Sequence, residues 1–120
     1  MKTDFNQIFR ERTKKLCIKI IKSLSSLPYS DDLSVIRKQV YRSSTSVAAN
    51  YRAVGRARSE NEKFAKLCIV VEEADETQFW LEIIEELEYL NDESLEEIKV
   101  ECEEIVKVMT SYKKKLSDKK

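Results

Sequence analysis

Three cysteines, one run of hydroxyls and two blocks of charge are the side chains of this 120-residue chain that could do chemistry. Cys17, Cys68 and Cys102 are odd in number and far apart, with no Cys-x-x-Cys pair, so neither a zinc knuckle nor a redox motif is supported. Each falls on or beside an apolar helical stripe and reads as a small reduced core side chain. Ser43-Ser44-Thr45-Ser46 resembles a nucleophile cluster, but the chain contains no histidine, the commonest general base. Without a base nearby, these four are small residues that let another backbone approach. Glu72, Glu73, Asp75 and Glu76 could ligate a metal inside a bundle. The di-iron pattern of such bundles needs Glu-x-x-His pairs, however, and there is no His to complete one. No metal, no cofactor and no enzymatic reaction are expected.

The basic block points elsewhere. From Arg37 to Arg58 there are six positive residues (Arg37, Lys38, Arg42, Arg52, Arg56, Arg58) and no acid. Guanidinium forks match phosphate oxygens, which makes Arg37, Lys38, Arg52, Arg56 and Arg58 candidate contacts to RNA or DNA. The competing use is pairing with the acidic third helix of a neighbouring subunit: residues 72–104 hold 15 acids and a single Lys99, so partners for the mid-helix Arg42 and Arg52 are plentiful. Of the aromatics, only Tyr41 and Tyr51 lie nearby, and Tyr51 is on a core stripe, so base stacking has little support there. The formal net charge is zero, yet residues 1–60 carry 13 Lys/Arg against 5 acids and residues 61–120 carry 9 against 17. Such a split suits either an anionic partner or self-complementary docking of copies.

The elements that must position these groups are helices. One Gly and one Pro are too few for the tight turns of a sandwich, a barrel or a phosphate loop. Apolar spacing predicts four helices over about 4–26, 31–54, 59–90 and 92–116 in one domain, residues 1–120. Leu27-Pro28-Tyr29-Ser30 and Asn91-Asp92-Glu93-Ser94 form turns. Gly55 is expected to cap the second helix at positive φ, and Ser59 with Glu62 to form a capping box. Leu33, Ile36, Val40, Val47, Tyr51 and Val54 form the core stripe of the second helix. The fourth carries a heptad seam of Leu95, Ile98, Cys102, Ile105, Met109, Tyr112 and Leu116. Lys113, Lys114, Lys115, Lys119 and Lys120 suit the negative pole at its end. Short connections make neighbours antiparallel, giving an all-α, up-down-up-down four-helix bundle.

The third helix shows two apolar stripes, Phe64, Leu67, Val71, Ala74, Gln78, Leu81 and Ile69, Trp80, Ile83, Leu87, Leu90. One protomer covers a helix on one side, so the second stripe implies contact with another copy. Glu76 projects between Ile69, Ile83 and Leu87 and needs a cation there, an arginine of the second helix within or between protomers, with Glu72 as a companion; a solvated rim is the alternative. Asn50 fits a hydrogen bond to backbone or to another helix, and Trp80 either an interface anchor or core. The candidate interface set is Arg42, Asn50, Ile69, Glu72, Glu76, Trp80, Ile83 and Leu87. No apolar run approaches a membrane span and no signal peptide is visible, so a cytoplasmic protein without a membrane partner is expected.

The strings Val47-Ala48-Ala49-Asn50-Tyr51-Arg52-Ala53, Gly55-Arg56-Ala57-Arg58-Ser59, Phe64-Ala65-Lys66-Leu67, Glu72-Glu73-Ala74-Asp75-Glu76-Thr77 and Trp80-Leu81-Glu82 resemble the bacterial four-helix-bundle family. Its members are also called 23S rRNA intervening-sequence proteins, because some are encoded within insertions in large-subunit rRNA genes. The commoner family version has Glu-Gly shortly after the Asn, where this chain has Ala53 and Val54. The resemblance implies a left-handed up-down bundle, a homopentamer and no known enzymatic activity. A related bundle, the accessory variability determinant of diversity-generating retroelements, binds nucleic acid and a reverse transcriptase; both partners come to this chain by analogy alone. The expected role is a nucleic-acid-associated scaffold, with a protein-binding adaptor lacking nucleic-acid affinity as the alternative.

Overall fold

Each helix starts where a short polar side chain accepts an otherwise unpaired backbone N–H. In the computed structural model, which describes residues 4–90 and 92–119, the Asp4 carboxylate takes the Gln7 N–H at 2.7 Å and opens α1, Phe5–Ser25. Ser30 does the same for α2, Asp31–Gly55, Ser59 for α3, Glu60–Glu86, and Asp92 for α4, Glu93–Asp118. Among the described residues the secondary structure is these four helices, with no strand. Asn91 and Lys120 lie outside the described residues.

Two expected helix ends move. Gly55 is the last residue of α2 and has no positive φ; Arg56, at φ −110°, follows it as the cap, its N–H returning to the carbonyls of Ala53 and Val54. Among the described residues the one left-handed residue is instead Glu88, φ 59°. It ends α3 at Glu86 rather than near 90, through Glu88 N–H to Glu85 O at 3.0 Å and Tyr89 N–H to Ile84 O at 3.2 Å. That pair of bonds is a Schellman motif, built here without glycine.

The core follows the expected stripes on α2 and α4: all six α2 residues are buried, and of the α4 seam only Tyr112 is half-exposed. On α3 the buried face is Leu67, Val70, Ala74, Thr77, Leu81 and Ile84, turned by about 60° from the expected stripe. Phe64, Val71 and Gln78 fall on its flank, half-buried. Because α3 is apolar on several sides, its periodicity does not choose a face, and packing does. α2 packs on α1 and α3, and α4 on α3 and α1. Between α2 and α3 the backbones meet at small side chains, with Ser43 and Thr77 both buried and their hydroxyls hydrogen-bonded at 2.8 Å.

Candidate nucleic-acid interface

Three contacts collect four helix termini at one end of the molecule. The Tyr51 hydroxyl, near the end of α2, donates to Asn6 Oδ1 at the start of α1 at 2.9 Å. The Phe5 ring meets that of Tyr112, near the end of α4, edge-on at 5.4 Å. The Lys63 ammonium, from the start of α3, lies 5.8 Å from the Tyr112 ring centre. At the other end Arg37 meets the end of α1, and Lys99 bonds Glu85 at 2.6 Å, joining the start of α4 to the end of α3.

This arrangement re-sorts the charge. Residues 52–66 carry five Lys/Arg against two Glu, and residues 107–119 five Lys against one Asp. Both stretches lie at the Phe5–Tyr112 end. Residues 76–99, at or toward the opposite end, carry nine acids and one Lys. Two helix starts and two helix ends share the basic end, so the macrodipoles largely offset and the side chains set the field. The lysines of α4, expected only to complement a helix pole, therefore lie at the same end of the molecule as Arg52, Arg56 and Arg58, although α4 does not pack against α2. Their run was visible in the sequence; their neighbourhood required the order of the helices.

The five candidate contacts are split. Arg52, Arg56 and Arg58 are exposed at the basic end. Among the described residues Arg52 and Arg56 form no ion pair, and Arg58 has only a loose one to Glu62 at 3.8 Å. Lys38 is exposed, but at the other end. Arg37 is half-buried and committed to its own chain: its guanidinium donates to the carbonyls of Leu24 at 2.9 Å, Leu27 at 3.3 Å and Pro28 at 3.2 Å. It closes the C-terminus of α1, satisfying carbonyls that a helix end leaves open, which removes it from a shared phosphate surface with Arg56.

Among the interface candidates, Glu76 pairs with Arg42 within the chain, and Glu73, at 2.8 Å from Arg42, is the companion rather than Glu72, which is exposed. Trp80 is half-buried against the core and donates its indole N–H to Glu76 at 3.2 Å. Asn50 donates to Ser46, carbonyl and hydroxyl alike, at 3.0 Å. Ile69 is 37% exposed and Leu87 55%, while Ile83 and Leu90 lean half-buried on the core. The ion pair of Arg12 with Glu101 and Glu104 ties α1 to α4, a contact that no spacing in the sequence marks. Burial pushes the Cys102 thiol up to about 12 and raises Cys17 as well, so both stay protonated, as core groups rather than nucleophiles.

Between the start of α1 and the end of α4 an open groove of about 580 Å³ is walled by Phe5, Val108 and Tyr112 and rimmed by Lys107 and Lys115. The sequence pattern of the 23S rRNA-intervening sequence proteins matches residues 6–111, from α1 into the last turns of α4. The chain belongs to that family. A crystal structure of a protein of unknown function from the S23 ribosomal protein family of Bacteroides thetaiotaomicron superposes with a TM-score of 0.79 at 31% identity, over 91% of this chain and 97% of that one. No curated protein matches the chain. The family thus carries the bundle, and the basic end has to be read from its own residues.

Proposed function

We propose that this member of the 23S rRNA-intervening sequence family is a non-enzymatic, homo-oligomeric scaffold that associates with nucleic acid through one basic end of its bundle. In this reading the helices run up-down-up-down with a left-handed turn, and copies join in the cytoplasm into a ring of five, the number the family resemblance implies. The observation that carries the reading is the exposed Arg52 and Arg56, without an ion pair among the described residues, at the same end of the bundle as the lysines of α4, with nine acids in residues 76–99 toward the far end. Each copy in a ring repeats the patch, so weak phosphate contacts add as avidity.

Retention of RNA and DNA as salt rises is the test. Phosphate contacts release counterions, so affinity should fall steeply between about 50 and 200 mM salt. Arg52→Glu with Arg56→Glu should abolish retention while leaving the helical content unchanged. Retention at low salt no better than that of a neutral control protein overturns the reading. The exposed Ile69, Phe79 and Leu87 favour one alternative, an adaptor that binds protein and no nucleic acid; a partner lost on Leu87→Glu, with no nucleic acid retained, would establish it.

A further inference from the structure

We propose that the groove between the start of α1 and the end of α4 receives an unpaired base of a single-stranded nucleic acid, with the flanking phosphates on Lys107 and Lys115. This rests on the nucleic-acid reading above and adds the strandedness of the ligand and its point of contact. The groove, about 580 Å³, lies within the size range of small-ligand sites. Its walls are mainly apolar: Phe5 is 43% exposed, Val108 and Tyr112 are half-buried, and the two rings stand edge-on at 86°. An aromatic wall accepts the face of any base, and a base is free to offer its face only where it is not stacked within a duplex.

The rim selects the charge of the occupant. Lys107 and Lys115 sit eight residues apart on α4, about 12 Å along the axis, and both are exposed. Among the described residues Lys107 is held only by an exposed pair with Glu103 at 3.2 Å, which a phosphate can displace. The acid at the groove, Asp4, is already engaged in capping α1 through the Gln7 N–H. Arg52, Arg56 and Arg58 lie at the same end of the molecule and add to its positive field. An apolar peptide would find walls but no use for the lysines; a duplex would find lysines but no use for the walls.

Fluorescence anisotropy of the full chain with a labelled oligo(A) strand and with an RNA duplex of equal length separates these cases. The expected result is at least 10-fold tighter binding of the single strand. Phe5→Ala should lower that affinity about 5- to 10-fold, the low end of the range for one stacked base, and leave duplex affinity unchanged. Ser111→Trp, which fills the groove from an exposed position and removes no core contact, should do the same and guards against a fold defect in the first variant. Lys107→Ala with Lys115→Ala should reduce the single-strand salt slope by about 1.4, two phosphates' worth. Equal affinity for strand and duplex, or a strand preference that survives Phe5→Ala and Ser111→Trp, overturns the groove and leaves the functional reading standing. Tighter binding of an acidic, aromatic peptide that the same two variants abolish also overturns it. Binding of neither nucleic acid at low salt overturns both.

Discussion

Arg42 holds two carboxylates, Glu73 and Glu76, and Trp80 donates to the second of them. Arg42 is half in solvent, which limits the worth of the pairs, but Glu73 is only 16% exposed and would be stranded without them. Arg42→Ala should therefore cost about 1–2 kcal/mol, and a double-mutant cycle with Glu73→Gln should recover part of it as coupling. Additive losses in urea midpoints would mean the pair contributes nothing. That Glu76 needs an arginine was legible, because a carboxylate among apolar residues demands one. Which neighbour shares the arginine was not, since Glu72 and Glu73 differ by 100° and the rotation of α3 is decided by packing. Cys102 gives a prediction with a sign. Its thiol is held near 12 in the folded chain, whereas the unfolded chain ionises it from about 8.5. Above that pH the unfolded state binds fewer protons, so stability falls as pH rises from about 8.5 toward 12. By pH 10 the loss from this residue is about 2 kcal/mol. Urea unfolding at pH 7 and pH 10 should show Cys102→Ala gaining about that much on the parent chain over the interval; an unchanged gap would mean the thiol is not held protonated.

Among the elements, α2 and α4 were readable from periodicity because each has one dominant apolar stripe, and every cap that begins a helix came from Ser or Asp, as side-chain chemistry requires. The helix ends were less legible, because the single glycine drew attention to the wrong one. Gly55 is helical with nothing within 4 Å of where a Cβ would stand. Gly55→Ala should therefore stabilise by about 0.5 kcal/mol, by restricting the unfolded chain and improving helix propensity. Glu88 carries the left-handed turn that ends α3, at φ 59°, a conformation a side chain with a Cβ adopts at a cost. Glu88→Gly should gain about 0.5–1 kcal/mol. Thermal melts of the two single variants and the pair should rise by a few degrees and add, since the sites lie on different helix ends. A fall in melting temperature for Glu88→Gly would mean that the carboxylate does more than the backbone geometry shows.

At the scale of the whole molecule, the charge split between the two halves of the chain becomes a split between two ends, because α4 carries its lysines back to where α2 ends. Arg37 and Lys38 belong to one side of α2 in projection with Arg56, yet about 28 Å of helix separates Arg37 from Arg56, so no compact phosphate surface can use both. The apolar surplus is distributed differently. Trp80, Ile83 and Leu90 lean on the protomer's own core, while Ile69, Phe79 and Leu87 remain in solvent at 37%, 50% and 55% exposure. Those three are the sharp probes of the proposed assembly, because charging them leaves the core intact, whereas Trp80→Asp would also break the bond to Glu76. Light scattering should give a mass that is a multiple of 14.1 kDa for the parent chain. Ile69→Glu with Leu87→Glu should reduce it to a single protomer with unchanged helical content, and should flatten the salt dependence of nucleic-acid retention as avidity is lost. A parent chain already monomeric at micromolar concentration would leave the basic end to act alone, and the binding measured for one copy would then be all there is.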